Sequence, residues 1–115
     1  LSGPPEPPVP AAARGSLDKE IIDRVVRDHM QEVRACYEAQ LRHDRKLGGA
    51  IRVMFTIGAT GSVVASELEK STMNNRLVND CLVQAVRAWT FPPPEGGGVV
   101  VVNYPFVFAS SSRGE

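Results

Sequence analysis

Neither sign of charge is in excess: thirteen basic side chains balance thirteen acidic ones over 115 residues. The summed field therefore offers no pull on phosphate backbones or anionic lipid, and no run of one sign breaks the balance, which argues against a nucleic-acid partner. Also missing is any stretch near the ~20 consecutive apolar residues of a membrane span, and the first residues carry no charged-then-apolar signal pattern. The expectation is a soluble fragment whose anchor or export signal lies upstream. Cysteine is scarce, with Cys36 and Cys81 alone, too few to fix a redox compartment by count.

No catalytic constellation is visible either. Nucleophilic catalysis needs a thiolate or hydroxyl within hydrogen-bond reach of an oriented base. His29, Cys36 and His43 fall seven apart on one expected helix, and seven residues of helix span ~10.5 Å, too far for contact or for a shared metal with ligands at ~2.0–2.3 Å. A site of Cys36, Cys81 and His29 would need the helices to pack and has no closely spaced ligand pair, so His29 reads as a core-edge histidine. Phosphate-loop readings fail as well: Gly58 and Gly61 flank a hairpin turn, and Gly96-Gly97-Gly98 precedes a strand with no following lysine. Glu67, Glu69 and Asp80 are scattered in solvated positions. No enzyme, cofactor or metal is expected.

What is present reads as one small domain with one core, since 43% of the residues are hydrophobic. Residues 1–16, crowded with proline and small side chains, read as the end of a linker, either a semi-rigid spacer or an end without a role. The domain itself is placed at 17–109, and 110–115 as a flexible tail. A helix is expected from about Asp18, the N-cap, to about Arg42, with Ile22, Val26, Met30, Val33, Cys36 and Tyr37 on its apolar face. Leu47-Gly48-Gly49 then breaks the chain. Strand one, Ala50 to Ile57, alternates with Ile51, Val53, Phe55 and Ile57 inward. Gly58-Ala59-Thr60-Gly61 supplies the positive-φ positions of a tight hairpin, and strand two returns from Ser62 to about Lys70.

The second helix, about Asn75 to Trp89, collects Leu77, Val78, Cys81, Leu82, Ala85 and Trp89 on its apolar face and is stopped by Phe91-Pro92-Pro93-Pro94. Val99 to Phe108 forms the last strand, in which Pro105 signals an edge or a bulge. The order αββαβ gives an α+β fold: a three-stranded antiparallel sheet of spatial order 2-1-3, both helices on one face, strand three free on one side. If the helices share that face, Cys36 and Cys81 come within disulfide range and imply an oxidising compartment. The alternative is two buried free thiols.

The segment Gly48 to Thr72, followed by an amphipathic helix and AWTFPPPEGGGVVVVNYPFVF, is similar to the TonB C-terminal-domain superfamily. A narrower resemblance, to the AgmX/PglI C-terminal family of gliding-motility proteins, rests on Val33-Arg34-Ala35-Cys36-Tyr37-Glu38, Gly61-Ser62-Val63, Ser71-Thr72, Asn79-Asp80-Cys81, Trp89-Thr90-Phe91-Pro92 and Tyr104-Pro105-Phe106. It covers about residues 18 to 108. The resemblance implies a periplasmic domain on a proline-rich arm, tethered upstream in the inner membrane and driven by a proton-channel-type motor, with a periplasmic or outer-membrane protein segment as partner. It also implies docking by strand addition at Val99, Val100, Val101, Val102, Asn103, Tyr104 and Phe106. Two other uses of the same fold stay open: an energy transducer for outer-membrane uptake receptors, and a strand-swapped homodimer. The additional cysteine-bearing helix and the Gly96-Gly97-Gly98 loop depart from iron-transport relatives, so the partner and the docking edge can differ.

Overall fold

The computed structural model describes residues 15–109; of the linker expected at 1–16 only Gly15 and Ser16 are described, and the rest of it, with the tail expected at 110–115, lies outside them. The elements run α1 (Lys19–Asp28), α2 (Met30–Leu41), β1 (Gly49–Ile57), β2 (Val63–Ser71), α3 (Arg76–Arg87) and β3 (Val100–Phe108). The three strands form one antiparallel sheet in the order β2-β1-β3. Its central strand buries Ile51, Val53, Phe55 and Ile57 completely, as the alternation of the sequence requires. All helices pack on that face: Ile22 and Val26 from α1, Val33, Cys36 and Tyr37 from α2, and Val78, Leu82 and Val86 from α3 close the core.

The single helix expected over Asp18 to Arg42 is two helices. At His29 the backbone leaves the helical region (φ −108°, ψ 13°), and the imidazole Nδ1 donates to the Val25 carbonyl at 2.8 Å. The ring stacks on Trp89 with centroids 4.7 Å apart, and the Trp89 indole N–H donates to Glu32 at 3.0 Å. Two partners explain the break. The first helix must reach β3, where Asp23 meets Tyr104, and the second must reach α3, where Cys36 meets Cys81. No straight helix offers one stripe to both. At the N-terminus Asp18 occupies the cap position without a side-chain bond, whereas at α3 the Asn75 side chain accepts from the Val78 N–H at 3.0 Å.

Cys36 and Cys81 are joined in a disulfide with Cα atoms 5.7 Å apart, which ties α2 to α3 across 45 residues. In the chain-entropy account a loop of that size contributes about 4 kcal/mol. The cysteines do not both sit on apolar faces. Cys36 is buried at 6% exposure, but Cys81 is exposed, and Leu77 is 63% exposed, because α3 buries the stripe Val78, Leu82, Val86, one position beyond each of them.

Gly61 is the only residue of the hairpin turn with positive φ (+97°), correcting the expectation of several. Space fixes its identity even more firmly: a Cβ there would stand 2.0 Å from the Phe91 carbonyl oxygen. The close approach lets the Phe91 N–H donate to the Gly61 carbonyl at 2.8 Å and seats Phe91 against Phe55, ring centroids 5.6 Å apart. α3 already ends at Arg87, ahead of the Phe-Pro expected to stop it, and that Phe-Pro instead anchors the hairpin to the core.

Candidate docking edge

In an antiparallel strand the N–H and C=O of one residue point the same way across the sheet, and those of the next residue point the other way. Ala50 turns both of its groups toward β2, donating to Thr72 Oγ1 at 2.8 Å and accepting from the Thr72 N–H at 2.8 Å. Ile51, Val53, Phe55 and Ile57 therefore turn theirs toward β3, where they face Phe106, Tyr104, Val102 and Val100 with no shift of register. On β3 itself, the remaining residues Val101, Asn103, Pro105 and Val107 direct their main-chain groups to the outer side. Pro105 fits there because its missing N–H removes no bond to β1. Among the described residues no further strand lies beyond β3.

The seven residues expected to dock a partner divide by this alternation. Val102 and Phe106 are buried at 9% and 3% exposure, and with Val100 and half-buried Tyr104 they face the helices. Val101 and Asn103 are the ones whose backbone faces outward. Val99 lies ahead of the strand, where its carbonyl accepts from the Gly15 N–H at 2.7 Å, next to a short bridge between Ser16 and Glu95. Val107, not among the seven, is 76% exposed and belongs to the outward set. The position of Pro105 carries the signal that finds it, since residues two apart on a strand share a direction.

α1 runs beside this edge and, together with the start of α2, closes two clefts against it. The larger, about 410 Å3, lies between Val26, Arg27, Met30 and Val33 on the helical side and Tyr104 to Phe108 on the strand side. The smaller, about 270 Å3, lies between Ile22 and the stretch Val102 to Pro105. Lys19, Asp23 and Tyr104 belong to both. Between them the Tyr104 hydroxyl donates to Asp23 Oδ1 at 2.9 Å, and Lys19 Nζ stands 3.4 Å from Asp23 Oδ2. The Tyr104 hydrogen bond, helped by the charges of Lys19 and Arg27, holds the Asp23 carboxyl below the usual aspartate value. Burial pushes the Tyr104 phenol up, and the bond to Asp23 and its charge push it further. Neither helix-side Lys19 nor Asp23 was singled out by sequence reading, because nothing in α1 shows which strand it will face.

The catalytic candidates are dispersed. His29 is engaged at the helix break and Cys36 in the disulfide. Among the described residues no group of three or more His, Cys, Asp or Glu side chains is placed to hold a metal ion, and no helix is long and apolar enough to cross a membrane.

Two solved structures share this arrangement, both solution structures of the TonB C-terminal domain of Helicobacter pylori. One matches with a TM-score of 0.53 at 22% identity, covering 76% of this chain and 96% of the other. The second, of a longer fragment, matches with a TM-score of 0.50 at 21% identity, covering 90% and 96%. The fold is TonB C-terminal-like. At this identity the likeness shows the fold and nothing finer. No family model and no curated protein matches the sequence. Within the TonB-like fold, the disulfide between α2 and α3 and the helix break at His29 are features that this chain's own residues account for.

Proposed function

We propose that this domain is a non-enzymatic docking module that receives an extended segment of a partner protein as a fourth strand on the outer side of β3, and passes force through it. The observation that carries this is the nine-residue run of β3 against β1 without a register shift, with the main-chain groups of Val101 and Val107 turned outward. An incoming strand gains backbone hydrogen bonds from such a margin and side-chain pockets beside it. Pro105 supplies a carbonyl but no donor, so pairing is interrupted there.

The setting we infer is the periplasm, with an inner-membrane tether upstream and a proton-channel-type motor behind it. The disulfide agrees with an oxidising compartment, and the TonB-like fold agrees with a partner at the outer membrane. The motifs around Cys36, Cys81 and Tyr104-Pro105-Phe106 favour a gliding-motility machine over nutrient uptake. Amide chemical-shift mapping tests the mode of docking: titrated with a periplasmic segment of a motility-complex protein, the shifts should cluster at Val100 to Phe108, and shifts confined to the helices would overturn it. Calorimetry with the N-terminal box of an uptake receptor separates the two settings, since tight binding of that peptide favours uptake. A strand-swapped dimer is the competing use of the margin, read by ultracentrifugation as concentration-dependent mass with no partner recovered.

A further inference from the structure

The two clefts say which side chains the added strand must carry, on the premise that β3 is the docking edge. A strand laid beside β3 shares its faces, so the residues opposite Val102, Tyr104 and Phe106 project toward the helices and those between them project away. Same-face residues on a strand repeat every ~6.6–6.8 Å. The residue beside Val102 thus enters the smaller cleft, and the residue beside Phe106, four positions along, enters the larger one floored by Val26, Met30 and Val33. The residue midway meets the Tyr104–Asp23 hydrogen bond, which spans the space between the clefts. A bulky group there must break that bond and leave a carboxylate facing an apolar side chain, so the bridge selects against it.

Charge adds a further element. Asp23, the sole carboxylate lining the larger cleft, already receives the Tyr104 hydroxyl and Lys19. Arg27, exposed one helical turn further on, leaves that end of the cleft positive.

We infer that the partner strand carries bulky apolar residues at two positions four apart, a small polar residue midway between them, and a carboxylate at the end that lies beside Arg27. The pattern is a filter as well as an anchor. Two apolar side chains are buried, the centre is kept small, and the acidic end aligns the strand before it zips.

Three synthetic nonapeptides titrated into the 115-residue chain test this, read by calorimetry and by the amide shifts of β3. The first has leucine at its third and seventh positions, serine at its fifth and glutamate at its ninth, on the same face as the leucines. The second replaces both leucines by alanine, and the third replaces the serine by leucine. The first should bind at least about tenfold tighter than either of the others, as expected for losing buried methylenes or breaking a satisfied polar pair. Tyr104→Phe keeps the ring and removes the bridge, so the third peptide should recover to within a few-fold of the first. Arg27→Glu, a surface change, should weaken the first peptide about fivefold at low ionic strength, a rim-charge effect that salt erases.

If all three peptides bind alike while β3 amides shift, the cleft assignment is overturned and the docking edge stands. If none moves a β3 amide, the edge reading falls and this inference with it. An unchanged affinity in Arg27→Glu would remove the acidic element.

Discussion

Along its outer side β2 is interrupted by extra residues at Val64 and Glu69, whereas β3 keeps one register with β1 from end to end. Between those bulges Ser66 faces Phe55, whose main-chain groups point to β3, so the carbonyl of Ser66 points away from the sheet. It does not stay bare. Arg87 of α3 donates to it at 2.8 Å, and the Ser66 hydroxyl donates to the Val83 carbonyl at 3.0 Å. Exposed Glu67 and Lys70 add charge along the same strand, whereas Glu69, expected in a solvated position, is largely buried with its carboxylate 3.6 Å from Arg52, an ion-pair distance too long for a hydrogen bond. Bulges, charges and a covering side chain are the devices by which sheets discourage pairing at an edge. The β2 edge has all three, and on the β3 edge Pro105 is such a device. The contrast teaches that strand addition is directed to β3 as much by what closes β2 as by what β3 offers.

The covalent tie between α2 and α3 belongs to the closed side, and breaking it gives the largest effect expected. Replacing both Cys36 and Cys81 by serine should lower unfolding free energy by up to about 4 kcal/mol in the chain-entropy account, measured by urea denaturation. Peptide binding at β3 should survive wherever the variant is folded, because neither cysteine lines the clefts beside that edge. Equal loss at both edges would erase the contrast.

Proline substitutions probe the alternation on β3 directly. Val102→Pro removes an N–H that faces Phe55 on β1, and should cost roughly 2–3 kcal/mol through the lost ladder bond and the orphaned carbonyl. Val101→Pro removes one that faces outward. Its thermal midpoint should stay within a few degrees of the parent while strand addition is lost, as read by amide shifts. If Val101→Pro unfolds the domain and Val102→Pro does not, the outward and inward sets are reversed.

A smaller effect is expected from Arg87→Ala. Loss of a charge-assisted hydrogen bond at a partly solvated site should cost about 1 kcal/mol by denaturation, and it bares the Ser66 carbonyl. Added self-association through β2, seen by ultracentrifugation, would show that Arg87 protects that edge.

The sheet was legible because its signals are local or two-residue periodic: the alternation Ile51, Val53, Phe55, Ile57 and the turn after Gly58 specify a hairpin, and Pro105 marks the third strand as marginal. The helix break at His29 was not, since the apolar stripe from Ile22 to Tyr37 continues through it with helical spacing. Only the separate demands of Tyr104 and Cys81, 81 and 45 residues away from their partners, bend it. The same limit applies to the candidate site. Val101 and Asn103 could be named from strand position, but Lys19, Asp23 and Arg27 enter through a tertiary contact that no spacing announces. The bulges of β2 were hidden for a related reason: Val64 and Glu69 keep strand-like chemistry, and the shift shows only against β1.

The finest test of the open edge is the protonation of the bridge beside it. The folded-state pKa of Asp23 is lowered, chiefly by the Tyr104 hydroxyl, so its contribution is present above the unfolded aspartate value of 3.8 and is lost as pH falls through the lower folded value. For Tyr104 the folded pKa is raised, so its share is present below 10.0 and is lost as pH rises through the higher folded value. Between those limits the bridge is intact. Tyr104→Phe should therefore move the Asp23 carboxyl titration, followed by carbon NMR, back toward 3.8 with Lys19 and Arg27 still holding it partly down. If the Asp23 curve does not shift, the two clefts are not separated by a hydrogen bond, and the selectivity argued for the middle of the partner strand loses its source.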